Sequence, residues 1–197
     1  MLEKLPESLG RILRGQRSGM DGIIFRHLVD HHEVPHIGVR SSAFENMGLI
    51  PVQFTADGDG ISPPLEWRAV PEVAPVAIIV EDADSPTPHP FVHAILVMGP
   101  GNGSIAWGEM DEWLPPAPPS GDGVHRYAFQ VFALGEGAQL PPKLNRQELM
   151  EVVLDRAIAA GCLVGTYERL RRQKIQDADE EPEPALTDVV ADAVAAT

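Results

Sequence analysis

Two carboxylates and an imidazole lie near the junction of two apolar segments in the middle of the chain. Residues 76–80 are all apolar, which indicates a strand buried on both faces, and Asp82 and Asp84 follow closely. If the chain stays extended there, alternate side chains point the same way, so both carboxylates would lie on one side. Three prolines within the next six residues then turn the chain out of the sheet. His93 lies in a second apolar run, so these side chains are expected to meet at one edge of a sheet.

A second histidine follows a loop rich in proline and glycine. Residues 115–123 contain four prolines and two glycines, and they lead into His125 and Tyr127. The strand that starts there is mostly apolar on both faces, which is typical of a central strand covered on two sides. Two imidazoles and the N–H groups of a glycine-rich turn can donate to phosphate oxygens. Asp82 can accept from an imidazole N–H, which favours the charged imidazole.

These motifs, in this order and at this spacing, resemble the phosphatidylethanolamine-binding protein family. The closest likeness is to its bacterial and archaeal branch, the Raf kinase inhibitor-like proteins, over about residues 41–172. The matching segments are Asp57-Gly-Asp-Gly-Ile-Ser-Pro-Pro-Leu-Glu-Trp67, Val70-Pro71, Asp82-Ala-Asp-Ser-Pro86, Pro90-Phe-Val-His93, Pro118-Pro-Ser-Gly-Asp122, His125-Arg-Tyr127 and Leu163-Val-Gly-Thr-Tyr-Glu168. Two positions depart from the branch: Ala94 stands where an aromatic residue is usual, and Ala117 where a cysteine is common.

The resemblance implies a mostly β fold, an antiparallel β-sandwich of Greek-key type with a C-terminal helix and short peripheral helices. It implies a small anion pocket for a phosphate-bearing ligand, either a phospholipid head group or another phosphorylated group. It also implies regulation of a partner protein such as a kinase or a protease. The expected ligand-binding residues are Asp82, Asp84, Pro86, His93, Pro118, Gly121, His125 and Tyr127.

An enzyme is the alternative that the same residues leave open. A small hydrolase could combine the Asp/His cluster with Ser85 or Ser120 as the nucleophile. No Gly-x-Ser-x-Gly motif surrounds either serine, and no set of metal ligands with convincing spacing appears. We therefore expect a binding module that is not an enzyme and that uses neither a cofactor nor a metal ion.

Composition narrows the class of protein further. The net charge of −14 argues against binding to nucleic acid or to an anionic membrane surface. Cys162 is the only cysteine, so no disulfide can form within the chain. No apolar run has the length of a signal peptide core or a membrane span. The sequence predicts a cytoplasmic protein.

The two ends of the chain differ from the middle. Residues 1–40 precede the resemblance, and their leucines at positions 2, 5, 9 and 13 predict an amphipathic helix that contributes to a homodimer interface. Four histidines at positions 27, 31, 32 and 36 have spacings that a metal site could use, but Pro35 disfavours a helix there. Residues 175–197 are acidic and lack aromatic side chains, which predicts a disordered tail after a domain spanning residues 41–174.

Local patterns predict three further features of the domain. Residues 49–54 are expected to form the first strand, and Trp67 a core or pocket wall. Asn145 and Glu148 form a capping box that starts a helix, which Gly161 is expected to end.

Overall fold

Two β-sheets form most of the regular structure in this computed structural model, which describes residues 17–138, 140–141 and 143–169. Two helices accompany them, α1 (Ile24–Val29) and α2 (Arg146–Arg156). The strands in chain order are β1 (Gly38–Arg40), β2 (Gly48–Leu49), β3 (Leu65–Arg68), β4 (Val76–Asp82), β5 (Phe91–Met98), β6 (Gly103–Ile105), β7 (His125–Leu134) and β8 (Ala157–Tyr167).

The larger sheet has the spatial order β2-β8-β7-β4-β5, and the smaller sheet has the order β1-β3-β6. Every strand pair is antiparallel except β2 with β8, which run parallel. The prediction of a mostly β fold with two sheets and a C-terminal helix is confirmed. The Greek-key arrangement stays a prediction, and the purely antiparallel pairing is wrong at β2.

The central strand β7 is apolar on both faces because each face meets a different layer. Phe129 and Val131 pack in a core shared with Trp67 of the smaller sheet, as expected for that tryptophan. Phe132, on the opposite face, packs in a second cluster with Leu149 of helix α2. Both faces of the larger sheet are therefore covered. This explains why β7 is apolar on both faces, as predicted, and lacks the alternation of polar and apolar residues seen in half-exposed strands.

Helix α2 begins where the sequence predicts and ends earlier than expected. The Asn145 side chain accepts from the Glu148 N–H, and the Glu148 carboxylate accepts from the Asn145 N–H, both at 3.0 Å. The helix stops at Arg156, and Gly161 lies inside strand β8. A Cβ at position 161 would overlap the carbonyl oxygen of Ile37, so this glycine permits the close approach of another chain segment.

The predicted strand over residues 49–54 is also shorter than expected. Only Gly48 and Leu49 pair with β8, and a 3₁₀ turn follows at Val52–Phe54. Pro51 has no N–H to donate to a ladder, which explains why pairing ends before it.

Residues 17–37 pack against the sheets even though they precede the segment that resembles the family. Ile23, Ile24, Leu28 and Ile37 are all buried. The predicted amphipathic helix near the N-terminus and the acidic tail at 175–197 lie outside the described residues. In the part of the chain that is described, no helix has the length and apolarity needed to cross a membrane.

We expect Gly161→Ala to lower the free energy of unfolding by about 2 kcal/mol, because the added methyl group forces residues 36–37 away from β8. Gly38→Ala is the matched control, since a Cβ at position 38 meets no atom within 4 Å. Urea unfolding of both variants measures the difference. Equal stability of the two variants would contradict the close approach at Gly161.

Candidate functional site

A pocket of about 310 Å³ opens where β4 ends and where β5 and β7 begin. Its walls are mostly apolar, and four of the lining residues are prolines. The lining residues are Ala56, Asp82, Pro86, Phe91, His93, Leu114, Pro115, Ala117, Pro118, Pro119 and His125. Five of the eight predicted site residues therefore line one pocket, whereas Asp84, Gly121 and Tyr127 do not line it.

Strand register brings the polar residues together. Asp82, the last residue of β4, lies opposite Tyr127 of β7 and Phe91 of β5. The β4–β5 register shifts between Val80 and Glu81, and His93 is the residue of β5 left without a partner. Such a bulge redirects a side chain at the end of a ladder. The alternation of residue types along β5 does not predict this register shift. The shift contributes to the position of the His93 side chain.

His125 is held between two carboxylates. Its Nδ1–H donates to Asp82 Oδ2 at 2.8 Å, and its Nε2–H donates to Asp122 Oδ2 at 3.1 Å. Burial opposes the positive charge, but the hydrogen bond and charge of Asp82, with the hydrogen bond of Asp122, outweigh it and raise the pKa of His125. Both N–H groups are used, so His125 cannot donate to a ligand in this arrangement, contrary to the expectation from sequence.

His93 is held differently. Its Nδ1–H donates to the Leu114 carbonyl at 2.5 Å, while the Leu114 N–H donates to the His93 carbonyl at 2.8 Å. Burial lowers the pKa of His93, more than the Leu114 carbonyl and Asp82 raise it. A neutral ring with Nδ1 protonated has a lone pair on Nε2, and this buried Nε2 has no hydrogen-bond partner among the described residues.

Tyr127 lies behind the two imidazoles. Its ring centroid is 5.2 Å from that of His93 and 6.5 Å from that of His125. The ring is fully buried, and its hydroxyl likewise has no hydrogen-bond partner in residues 17–138, 140–141 and 143–169. Burial raises the pKa of Tyr127 well above its ordinary value, so the hydroxyl stays a donor.

Asp84 diverges from Asp82, because β4 ends at Asp82 and the chain turns there. Asp84 accepts from the backbone N–H of Arg126 at 3.0 Å and from its guanidinium at 2.7 Å through each oxygen. Burial opposes ionisation, but Arg126 lowers the pKa of Asp84 overall. The chain is not extended beyond Asp82, so the condition under which both carboxylates would share one side is not met, and Asp84 bonds to Arg126 of β7.

Gly121 and Ser85 have structural roles in the loops. Gly121 has φ of 76° and donates its N–H to the Arg169 carbonyl at 3.2 Å. The Ser85 hydroxyl bonds to the Asp82 carbonyl at 3.1 Å and accepts from the Phe91 N–H at 3.1 Å. The Ser85 hydroxyl thus bonds to groups of its own loop and, among the described residues, to no histidine, so it gives the hydrolase alternative no support.

Sequence reasoning missed Arg17 and did not single out Asp122. Arg17 Nη2 donates to Asp122 Oδ2 at 2.7 Å and to its carbonyl at 3.0 Å. Arg17 Nη1 lies 3.9 Å from Asp84 Oδ1. The i,i+3 spacing of Asp122 and His125 could have suggested their contact. Arg17 lies outside the segment that resembles the family, and no sequence pattern links it to the site. Behind the pocket, Arg17 and His125 thus both bond to Asp122, and Arg126 bonds to Asp84.

Among the described residues, no group of three or more His, Cys, Asp or Glu side chains is arranged to hold a metal ion. Fold and site together define a class: a two-sheet β-domain with a small, largely apolar pocket over a buried aspartate–histidine pair.

Comparison with known proteins identifies the family. The family model described as phosphatidylethanolamine-binding protein matches residues 40–168. The putative lipoprotein LppC of Mycobacterium tuberculosis is 31% identical over 144 residues, which cover 66% of this chain and 71% of that protein. UPF0098 protein PH1269 of Pyrococcus horikoshii is 35% identical over 150 residues, covering 66% of this chain and 75% of that protein.

A solved structure gives the same result. The crystal structure of a putative phosphatidylethanolamine-binding protein homolog, CT736 from Chlamydia trachomatis, matches with a TM-score of 0.62 at 30% identity. The match covers 68% of this chain and 98% of that one. The chain belongs to the phosphatidylethanolamine-binding protein family.

We expect His125→Gln to lower the free energy of unfolding by about 3 kcal/mol at pH 6, because Asp82 and Asp122 both lose the buried imidazolium that bonds to them. The pKa of His125 is raised on folding, so its contribution is fully present below the unfolded value of about 6.5. It is lost as pH rises through the folded pKa. Urea unfolding from pH 5.5 to 9, with the exposed His31→Gln as control, should show the gap between wild type and His125→Gln closing as pH rises. A gap that widens with pH would contradict the imidazolium assignment.

Proposed function

We propose that this protein is a non-enzymatic binding module that holds a small phosphate-bearing ligand in the pocket over His93. The supporting observation is the Nε2 atom of His93, which is buried on a pocket-lining residue and lacks a hydrogen-bond partner among the described residues. An unsatisfied buried polar atom is costly, typically about 1–3 kcal/mol, so a ligand that satisfies it gains affinity.

The protonation state of His93 defines the form of phosphate that fits. Because Nδ1–H is fixed on the Leu114 carbonyl, Nε2 can accept from the O–H of a singly protonated phosphate. A phosphate dianion would instead require His93 to take up a proton. In both cases the complex contains one more proton than neutral His93 with a dianion, so affinity falls as pH rises.

The surrounding charges are balanced rather than strongly positive. Asp82 and Asp122 flank the His125 imidazolium, and Arg126 pairs with Asp84. His125 therefore contributes a fixed charge behind the pocket without a free donor. The Tyr127 hydroxyl, which is unpartnered in the described structure, is the second group that we assign to the ligand.

The walls favour a phosphate ester over inorganic phosphate. Proline rings together with Phe91 and Leu114 offer apolar contact to a short alkyl group, as small-ligand sites commonly do. The volume suits a head group such as phosphoethanolamine and leaves little room for acyl chains. Regulation of a kinase, a protease or another protein partner would then depend on whether this pocket is filled.

We expect titration calorimetry to show phosphoethanolamine binding that weakens from pH 5.5 to pH 8. Repeating the titration in two buffers of different ionisation enthalpy should reveal proton uptake at pH 8, where the free ligand is mostly dianionic. His93→Ala removes the accepting nitrogen, with an expected loss of about tenfold in affinity. Affinity that rises with pH, or equal binding by wild type and His93→Ala, would overturn this function.

The two tyrosines of the chain provide a matched pair of variants. Tyr127→Phe removes a hydroxyl without a partner in the described structure, so stability should hold while affinity falls about tenfold. Tyr167→Phe removes a hydroxyl that donates to Asp57 at 2.6 Å, so stability should fall slightly while affinity holds. Urea unfolding and calorimetry on both variants separate the roles. A Tyr127→Phe protein that loses stability but binds normally would show that this hydroxyl does not serve the ligand.

A further inference from the structure

Residues 17–29 lie outside the family-matched segment 40–168, yet they cover one face of the larger sheet and contact loops at the pocket. We call residues 17–29 the strap. It comprises Arg17 and two adjoining residues, the 3₁₀ turn Met20–Gly22 and helix α1 with Ile23 before it.

A buried carboxylate anchors the middle of the strap. Glu81 of β4 is fully buried, and its Oε2 accepts from the Ile24 N–H at 3.1 Å and from Gln130 Nε2 at 2.7 Å. Gln130 Oε1 in turn accepts from the Phe25 N–H at 2.7 Å. Arg146 of α2 donates to Glu81 Oε1 at 2.5 Å. A buried carboxylate on a sheet face needs hydrogen-bond donors, and the backbone of the strap supplies some of them.

Apolar packing reinforces this anchor. Ile23 packs in a cluster with Ala83 and Ala128, and Met20 and Cys162 pack against the same cluster. Burial, with the negative charge of Glu81, raises the pKa of Cys162 to about 12. The Cys162 side chain is only partly buried, and a thiol with so high a pKa reacts slowly. Movement of the strap away from this cluster would expose the thiol further and speed its reaction.

The first residues of the strap form hydrogen bonds to the loop between β4 and β5. The Gly19 N–H donates to the Ala83 carbonyl at 3.0 Å, and the Ser18 hydroxyl donates to the Pro88 carbonyl at 2.8 Å. This loop carries Pro86, which lines the pocket. The Arg17 side chain, which is 18% exposed, forms an ion pair with Asp122 in the loop before β7.

We propose that docking of the strap completes the ligand pocket and that Arg17 is the positioning residue that couples the two. This inference rests on the proposed function. Asp122 bonds to both Arg17 and His125, so Arg17 fixes the carboxylate that holds the imidazolium in place. Without Arg17, Asp122 loses a charge-assisted hydrogen bond and this region loses one positive charge, which disfavours a phosphate ligand.

Coupling of this kind is reciprocal. If a docked strap raises ligand affinity, a bound ligand must favour the docked strap by the same factor. Cys162 is the only cysteine of the chain, so its rate of modification by a neutral thiol reagent reports strap opening without any engineered label.

The test compares Arg17→Ala with Arg26→Ala, which removes the same charge from the same strap. Among the described residues, the Arg26 side chain forms an ion pair with Asp30 on the exposed side of α1, at 2.9 Å. We expect Arg17→Ala to speed Cys162 modification several-fold and to weaken phosphoethanolamine binding about tenfold, within the usual range of coupling between sites. Arg26→Ala should match the wild type in both, and Arg17→Lys should recover part of each.

Ligand protection and a histidine titration complete the experiment. Phosphoethanolamine should slow Cys162 modification in the wild type and have little effect in Arg17→Ala. The NMR pKa of His125, which Asp82 and Asp122 raise, should rise further in Arg17→Ala because the Arg17 charge lowers it. Tyr127 stacks on this ring, and His93 interacts with it electrostatically; both are unchanged in the variant.

The outcomes separate this inference from the proposed function. A wild type that binds neither phosphoethanolamine nor inorganic phosphate would overturn the proposed function, and the coupling to ligand with it. Normal binding with equal Cys162 modification in Arg17→Ala and Arg26→Ala would overturn the strap inference alone. Faster modification with unchanged affinity would show that the strap opens independently of the pocket, and would overturn the coupling.

Discussion

The site depends on one buried cation, the His125 imidazolium held between Asp82 and Asp122. Each partner comes from a different part of the chain, since Asp82 ends β4 and Asp122 lies in the loop before β7. A buried charge is tolerated only where several hydrogen bonds satisfy it, so this pair of contacts limits how the loop can approach the sheet. Pocket shape at this edge follows from that constraint, because the proline wall of residues 115–119 belongs to the same loop.

Two histidines that look equivalent in sequence thus have opposite electrostatic character. His125 gains two acceptors and stays charged, whereas His93 gains one carbonyl and little else, so burial keeps it neutral. Under the proposed function, a pocket containing one fixed cation and one neutral acceptor would discriminate between protonation states of a ligand, which two equivalent cations would not do.

The sequence predicted the central strands, the capping box of α2 and five of the pocket-lining residues, because each depends on short-range pattern or on a family motif. It could not predict that Gly161 lies in a strand, since a glycine after an alanine-rich run is equally typical of a helix end. It also missed the roles of His93 Nε2 and Arg17. The first depends on a register shift beside β4, and the second on a contact between residues 105 positions apart.

Glu81 has a consequence for how the boundaries of this domain are drawn. The family match begins at residue 40, but the carboxylate at the centre of the sheet is satisfied in part by backbone N–H groups of residues 24 and 25, directly and through Gln130. A fragment cut at the family boundary would retain every pocket-lining residue while leaving a charged group and an apolar sheet face open to solvent. For this chain, the segment that the family model matches is smaller than the set of residues that pack together in the structure.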